Sequence, residues 1–207
     1  MNDAFDAYLS TVKMLCPEVS VQELNYIREG LSISKLNTRG IYINANTVQR
    51  EIGFVYSGLL RGFYIDKYGN QISIKFIRAY EFATHFSAFI TQNPSKYYFQ
   101  CLEPTVIVNI PYEHIQAGYR KFPILERYGR LVAEEVLKGM QKRIESFLFE
   151  TAEERYLNFL SDYPDLIGRV SISNLSTFLG IERQSLTRIR KKISDNASLE
   201  LKKVSKI

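Results

Sequence analysis

In residues 170–193 the apolar side chains recur at a spacing that predicts two short amphipathic helices joined at Gly180. The first helix is predicted to begin after Ser173, because serine is a preferred residue just before a helix. Its apolar face would be formed by Leu175, Phe178 and Leu179. The glycine that follows predicts the point at which the chain leaves this helix and turns into the next one.

The second predicted helix places Leu186, Ile189 and Ile193 on one face, at spacings of three and four residues. At 100° per residue, the opposite face is polar. That face is centred on Gln184, Thr187, Arg188 and Lys191. Each of these side chains can hydrogen-bond to a base edge or a phosphate, and a helix-turn-helix places its second helix in the major groove. The pattern therefore indicates a helix that reads double-stranded DNA.

The positive charge of the chain is concentrated behind residue 182. Of 27 lysines and arginines, eight lie after that residue, against two of the 22 acids, so the preceding part holds 19 basic and 20 acidic side chains. The eight are Arg183, Arg188, Arg190, Lys191, Lys192, Lys202, Lys203 and Lys206. A localised basic surface favours a polyanion such as DNA. The alternative interpretation is a solvated, lysine-rich C-terminal segment.

Composition excludes several classes of protein. With 207 residues, 45% of them hydrophobic, the chain can form a globular core, and no apolar run reaches the roughly 18 residues of a membrane span. The N-terminus lacks the charge and apolar order of a secretory signal, so we expect a cytoplasmic protein. Cys16 and Cys101 are too few for a disulfide framework or a four-thiolate cluster.

The chain divides into three predicted parts. Residues 1 to about 32 follow helical spacing, whereas residues 34–110 contain short apolar runs separated by turn residues. The runs are Gly40–Ile43, Gly53–Tyr56, Leu60–Ile65, Ile72–Ile77, Tyr97–Cys101 and Thr105–Ile110. Many short strands at nearly even spacing predict an antiparallel barrel or sandwich. Residues 68–71 are the best candidate for a hairpin turn.

Residues 124–149 predict one long helix, since they contain no proline and no cluster of turn residues. Its apolar stripe is Leu125, Tyr128, Val132, Val136, Met140, Ile144 and Phe147. A helix of this length extends about 38 Å at 1.5 Å per residue, which is too long to be covered by a small β domain alone. We therefore expect this helix to form a parallel homodimer. Packing within one chain, against the flanking domains, is the alternative.

Thr151-Ala-Glu-Glu154 has the pattern of a capping box and predicts the start of a further helix, which ends near Tyr163-Pro-Asp165. The order of these elements, together with residues 151–193, resembles the cyclic-AMP receptor protein/FNR (Crp/Fnr) family of bacterial transcription regulators. The resemblance implies an α+β fold with an N-terminal β-roll (a double-stranded β-helix of the cyclic-nucleotide-binding type) at residues 1–122. A dimerisation helix at 123–149 and a winged helix-turn-helix domain at 150–207 would follow it.

The family pattern in the recognition helix is Arg-Glu-Thr-x-x-Arg, and here it stands as Arg183-Gln-Ser-Leu-Thr-Arg188. The resemblance gives the two arginines base-reading roles, towards guanine. Gln184 stands in place of the family's glutamate and prefers the adenine edge, so the target site should differ. Ser185 and Lys191 are expected to contact phosphates, and Thr187 and Lys192 complete the predicted interface. Residues 195–198 predict a turn, although little chain follows it for the family's wing.

The family's cyclic-nucleotide pocket needs a Gly-Glu pair and, ten residues after the glutamate, an arginine. The corresponding positions in this chain are Thr84, His85 and Ser95. They supply neither the acceptor for the ribose nor the charge for the phosphate, so cyclic AMP is not the expected effector. With only His85 and His114 as histidines, and two cysteines, we also expect no haem, no iron–sulfur cluster and no metal.

These observations predict a homodimeric transcription regulator that binds a near-palindromic DNA site, with RNA polymerase as a further partner and an unidentified effector in the roll. An enzyme is not expected, because the chain contains no phosphate loop, nucleophile elbow or zinc-binding helix motif. A second interpretation is a sensor or adaptor whose helix-turn-helix docks a protein. Glu182, at a position where serine or threonine would cap better, is a faint point in its favour.

Overall fold

The computed structural model describes residues 2–204, with the side-chain environments of residues 3–195. The helices are α1 (Asn2–Leu15), α2 (Val21–Glu29), α3 (Phe86–Thr91), α4 (Tyr112–Lys121), α5 (Pro123–Phe149), α6 (Ala152–Asp162), α7 (Ile172–Leu179) and α8 (Arg183–Val204). The strands are β1 (Ser32–Leu36), β2 (Ile41–Ile43), β3 (Glu51–Ser57), β4 (Leu60–Ile65), β5 (Gln71–Ile77), β6 (Phe82–Ala83), β7 (Tyr98–Cys101) and β8 (Thr105–Pro111). A short 3₁₀ helix (Pro164–Leu166) separates α6 from α7.

The strands form two antiparallel sheets of four strands each, in the orders β1-β8-β3-β6 and β2-β7-β4-β5. Side chains alternate between the two faces of a strand, so the inward residues of both sheets meet in one core. Val55 and Ile107 of the first sheet pack there with Leu60, Ile77 and Phe99 of the second. The predicted roll of short antiparallel strands is confirmed.

The hairpin between β4 and β5 confirms the turn predicted at residues 68–71. The carboxylate of Asp66 accepts hydrogen bonds from the backbone N–H groups of Tyr68 at 2.8 Å and Asn70 at 2.9 Å. These bonds hold the turn closed, and the backbone at Gly69 adopts φ +85°, which glycine tolerates best.

The outer face of the first sheet is covered by α1, α2, α4 and the first turns of α5. Phe54 and Val108 point outward from the sheet and pack with Tyr8, Val12 and Leu125 from the helices. The helical character predicted for the N-terminal residues is therefore confirmed, and these helices form a second core together with the sheet.

Helix α5 begins within one residue of the start predicted for the long helix. The apolar side chains of its two halves lie in different surroundings. Leu125 and Tyr128 are buried within the chain. Further along, apolar side chains that remain between 58% and 68% exposed line the helix. They are Met140 and Ile144 of the predicted stripe, together with Leu137 and Leu148, which the predicted stripe did not include. The first half of α5 thus packs within its own chain, and the second half presents an uncovered apolar face.

Other chemical features of the described chain are limited. Across residues 2–204, no helix is both long enough and apolar enough to cross a membrane. The described part of the chain also contains no group of three or more histidine, cysteine, aspartate or glutamate side chains arranged to hold a metal ion. Cys16 and Cys101 are buried free thiols, and burial raises the pKa of each.

Candidate nucleic-acid interface

Helices α6, α7 and α8, here called the head, begin at a well-formed cap. The hydroxyl of Thr151 accepts the backbone N–H of Glu154 at 3.3 Å, and the Glu154 carboxylate accepts the backbone N–H of Thr151 at 2.7 Å. This reciprocal pair satisfies two N–H groups that would otherwise lack partners at the helix start. The predicted capping box is confirmed, and α6 ends at Asp162, just before the predicted Tyr163-Pro-Asp165 stop.

The start of α7 corrects one prediction. Ser171, and not Ser173, caps the helix, since the Ser171 hydroxyl accepts the N–H of Asn174 at 3.1 Å. Two serines that alternate with isoleucine fit the cap pattern equally well, and only the backbone hydrogen bonds distinguish them. The helix ends at the predicted Gly180, whose φ of +63° lets the chain turn so that Ile181 N–H reaches the Ser176 carbonyl at 3.0 Å.

Helix α8 presents the predicted polar face to solvent. Leu186 is fully buried in the head core, and Ile189 and Ile193 pack against that core. The opposite face consists of exposed side chains. They are Arg183, Gln184, Thr187, Arg188 and Lys191. Ser185 is half-buried at the edge of this face, and the Thr187 hydroxyl donates to the Arg183 carbonyl at 3.0 Å.

Lys192 occupies a different position from the other predicted contacts. Its ammonium group lies 2.8 Å from the carboxylate of Glu153 on α6. At 100° per residue it also lies about 100° around the helix from Lys191. Lys192 therefore links α8 to α6 in this conformation, whereas Lys191 is exposed on the polar face.

The turn predicted at residues 195–198 is wrong, because α8 continues without a break to Val204. Asp and Asn are weak helix formers, but a helix already started by Leu186, Ile189 and Ile193 can extend through them. Within residues 2–204 no strand follows β8, so the described chain has no β-hairpin wing.

Two arginines connect the head to the end of α5. Arg143 of α5 donates to the Phe178 carbonyl, and its guanidinium lies 3.9 Å from the centre of the Phe178 ring and 4.3 Å from that of Phe147. Burial lowers the pKa of Arg143 to about 10. Arg155 of α6 donates to the carbonyls of Leu179 at 2.8 Å and Glu150 at 2.6 Å. Together they fix the angle at which α5 meets the head.

The head also contacts the roll directly, through β5 and α7. The backbone N–H of Ser73 donates to the Thr177 hydroxyl at 3.2 Å, and the Ser73 hydroxyl donates to the Asn174 carbonyl at 2.9 Å. Phe76 of β5 packs against Phe178, with ring centres 5.0 Å apart. This contact between β5 and α7, here called the seam, holds the head against the second sheet.

Two ion pairs lie beside the seam. Arg78 pairs with Asp165 at 3.0 Å, and Arg169 pairs with Glu103 at 2.8 Å. The Arg169 guanidinium lowers the pKa of the Glu103 carboxyl. Sequence periodicity gave no signal for the seam or for Arg143, although Arg155 stands in the Glu-Glu-Arg segment that carries part of the family resemblance.

The three positions that correspond to the nucleotide pocket are occupied by hydrogen bonds within the chain. The Gln49 side chain donates to the Thr84 hydroxyl at 2.9 Å, and its carbonyl oxygen accepts the backbone N–H of His85 at 3.1 Å. His85 Nδ1 lies 3.2 Å from the Ser95 hydroxyl, which donates to the Tyr97 carbonyl at 3.0 Å. Burial, together with a nearby lysine, lowers the pKa of His85, so these three side chains offer no positive charge to a phosphate at neutral pH.

The architecture is shared with proteins of known structure, transcription regulators among them. FixK2 from Bradyrhizobium japonicum aligns with a TM-score of 0.71 at 10% identity, over 81% of this chain and 86% of that one. A protein from Eubacterium rectale named as a transcriptional regulator of the Crp/Fnr family gives 0.70 at 16% identity, over 88% and 87%. CLP, a c-di-GMP responsive global regulator from Xanthomonas campestris, gives 0.67 at 15% identity, over 86% and 93%.

No protein-family model and no curated protein matches the sequence of the chain. The likeness therefore rests on structure alone. At identities of 10–16%, the alignments establish the architecture: a cyclic-nucleotide-binding-type roll, a long helix and a C-terminal helix-turn-helix. The α+β fold that the sequence resemblance implied is therefore confirmed, except for the wing, which the described residues lack.

Proposed function

We propose that this chain is a transcription regulator that binds a near-palindromic DNA site as a homodimer, through α8. The observation that carries the proposal is the polar, basic face of α8, which stays exposed while the opposite face is buried in the head core. A second helix held in this way by a helix-turn-helix can enter the major groove. The likeness to Crp/Fnr regulators supports this use of the fold.

Four residues of this face, and Ser185 at its edge, have proposed roles. Arg183 and Arg188 would donate to guanine O6 and N7, and Gln184 would bind the adenine edge. Lys191 and Ser185 would contact phosphates and so fix the register of the helix on the duplex. The half-buried position of Ser185 suits a backbone contact at the edge of the groove better than a base contact.

The proposed dimer uses the uncovered face of α5. Leu137, Met140 and Ile144 follow one another at spacings of three and four residues, which is the repeat of a two-stranded coiled coil. Their side chains are largely exposed in the single chain, and an apolar stripe of this kind marks an interaction surface. A second copy provides the same stripe and therefore buries both. The two recognition helices would then meet successive major grooves about 34 Å apart.

Selection of oligonucleotides from random duplexes tests the DNA proposal. The chain should enrich a near-palindrome. Arg183→Ala should then cost about 1–3 kcal/mol on that site and relax the preference at one base pair, whereas Lys191→Ala should weaken every sequence alike. Lys35→Ala removes an exposed charge from β1, far from α8 in the chain, and serves as the control. If nothing is enriched, the DNA proposal fails and the alternative, a helix-turn-helix that docks a protein, is favoured instead.

Light scattering tests the dimer independently of DNA. The wild-type chain should scatter as twice its mass of 24.0 kDa. Leu137→Asp and Ile144→Asp should each give the single-chain mass, because a carboxylate would be buried in the apolar contact. Leu157→Asp alters an exposed leucine on α6 and should leave the dimer intact. Dissociation by all three variants alike would show that the contact is not on this face of α5.

RNA polymerase would be a partner of the DNA-bound dimer.

A further inference from the structure

A pocket of about 130 Å³, here called the junction pocket, lies where the second half of α5 meets the head. Its wall combines α5 from Gly139 to Ser146, the second half of α6 and the end of α7 at Leu179. The volume is below the roughly 300–1,000 Å³ of pockets for drug-sized ligands, but well above what a single water molecule needs. A pocket of this size suits one small polyatomic ion or one functional group of a larger molecule.

Two arginines in this wall lack an acidic partner. Arg143 donates to the Phe178 carbonyl. Arg155 donates to the carbonyls of Leu179 and Glu150. Among the described residues, no carboxylate forms an ion pair with either arginine. A guanidinium carries five N–H groups, so each arginine keeps donors for a further acceptor.

The two positive charges lie close together. Both guanidinium groups lie over the ring of Phe147, at 4.3 Å from its centre for Arg143 and 5.3 Å for Arg155. Burial, together with the charge of Arg155, lowers the pKa of Arg143 to about 10, so the side chain is still charged at neutral pH. An anion between the two guanidinium groups would offset both the cost of burial and the repulsion between like charges.

The other charged side chains of the wall leave this pair of arginines uncompensated. Lys142 pairs with Asp162 at 2.6 Å. The Glu150 carboxylate also lines the pocket, but it pairs with neither arginine in this conformation. The wall therefore carries three positive and two negative side chains, and its net charge favours an anion.

We propose that the junction pocket binds a phosphate group, held by Arg143 and Arg155. A planar guanidinium matches a pair of phosphate oxygens. The two arginines come from different helices, and a tetrahedral phosphate presents oxygens in both directions, whereas a planar carboxylate presents a single pair.

The junction pocket stays accessible in the proposed dimer. Ser146, in the pocket wall, is nine residues from Leu137 and so lies about 180° around α5 from the uncovered apolar face. The pocket also contains no residue of α8. Phosphate binding therefore depends neither on the dimer nor on DNA, and it can be tested with the full chain alone.

Isothermal titration calorimetry with inorganic phosphate, at an ionic strength kept constant with chloride, tests the site. Asn158 is an exposed residue of α6 in the pocket wall. Asn158→Asp keeps both arginines and adds a carboxylate that repels the anion, so it should weaken phosphate binding about ten-fold or more. Asn25→Asp makes the same change at an exposed asparagine of α2 and should bind phosphate as the wild type does. No binding by the wild type, or equal affinity in all three proteins, would overturn the site.

Arginine variants test which groups hold the phosphate. Arg143→Lys and Arg155→Lys keep the charge but lose the planar donors, and each should weaken phosphate binding about ten-fold. Arg169→Lys alters an arginine outside the pocket, paired with Glu103, and should leave the affinity unchanged. Far-ultraviolet circular dichroism checks that each variant is folded. Unchanged affinity in Arg143→Lys and Arg155→Lys, or the same loss in Arg169→Lys, would overturn the assignment.

Glycerol phosphate distinguishes the two sources of a phosphate group. Affinity equal to that of inorganic phosphate would support a phosphate monoester whose organic part extends from the pocket. Weaker binding of glycerol phosphate would support the free anion. Binding of either probe that survives Asn158→Asp unchanged would place it elsewhere on the chain and overturn the proposal.

Discussion

Gly180 is the residue on which the turn between α7 and α8 depends. Its φ of +63° is strained for any L residue, and a Cβ atom there would lie 2.7 Å from the Phe147 ring. Gly180→Ala should therefore lower the free energy of unfolding by at least roughly 1–2 kcal/mol, with a further loss from displacing Phe147. Urea unfolding followed by circular dichroism measures this change.

Gly139 provides the matched control for that substitution. It lies in the middle of α5, and a Cβ atom there would have no neighbour within 4 Å. Gly139→Ala should raise the free energy of unfolding by about 0.5–1 kcal/mol, because alanine loses less backbone entropy in a helix. An equal effect of both substitutions would mean that the turn at Gly180 does not need a left-handed residue.

Lys191 and Lys192 are neighbours in sequence with different surroundings. Lys191 is exposed on the polar face, whereas Lys192 pairs with Glu153. Lys191→Ala should reduce the slope of log affinity against log salt by about 1, while Lys192→Ala should leave it nearly unchanged. Filter binding to the selected duplex at several salt concentrations measures both slopes. If both variants lose the same slope, Lys192 leaves Glu153 when DNA binds.

Among the elements, β5 and α7 meet at the seam, where two side-chain hydroxyls form a close pair. The hydroxyls of Ser73 and Thr177 lie 2.8 Å apart. Thr177→Val should destabilise the chain by about 1 kcal/mol, and Ser73→Ala by roughly 1–3 kcal/mol, because it also removes the acceptor of the buried Arg61 guanidinium. The double variant should be destabilised by at least about 0.5 kcal/mol less than the sum of the two. Urea unfolding of all four proteins gives this coupling.

A control cycle with a distant threonine separates coupling from general destabilisation. The Thr91 hydroxyl donates to the Ser87 carbonyl within α3 and takes no part in the seam. Ser73→Ala and Thr91→Val should therefore add to within about 0.3–0.5 kcal/mol. If the cycle with Thr177 is equally additive, the two hydroxyls do not stabilise each other.

The elements that could be predicted from sequence are those whose apolar residues recur with one period. Helix α5 and the apolar faces of α7 and α8 follow this rule, as do strands β2 to β5, β7 and β8. Strand β1 has serine at two of its five positions and so lacks an apolar run. Helix α3 has only six residues, and α4 surrounds Gly118, so neither was predicted.

The polar face of α8 could be predicted because it lies opposite a periodic apolar face on the same helix. The seam could not, because Ser73 and Thr177 are 104 residues apart and nothing in their local sequence pairs them. The junction pocket was missed for the same reason, since its wall combines side chains of α5, α6 and α7 that no local pattern pairs. The division of the chain at residues 122 and 149 stays a prediction.

For the whole molecule, the seam joins the core of the head to the roll. Leu59 and Phe76 belong to the roll, yet both are buried in the core of the head. If the head separated, these side chains would be exposed to water, together with the head residues that cover them. We therefore expect the head and the roll to unfold in one cooperative transition.

The chain contains no tryptophan, so single tryptophans can report on each part separately. Phe5→Trp places one against the N-terminal core, and Tyr163→Trp places one in the head, where it keeps an aromatic face beneath Arg78. In urea, both fluorescence signals should change at the same midpoint. Adding Phe76→Ala removes a ring shared by the two parts and costs roughly 3–5 kcal/mol, so the head signal should then change at lower urea than the roll signal. Separate midpoints without Phe76→Ala would mean that the seam does not couple the head to the roll.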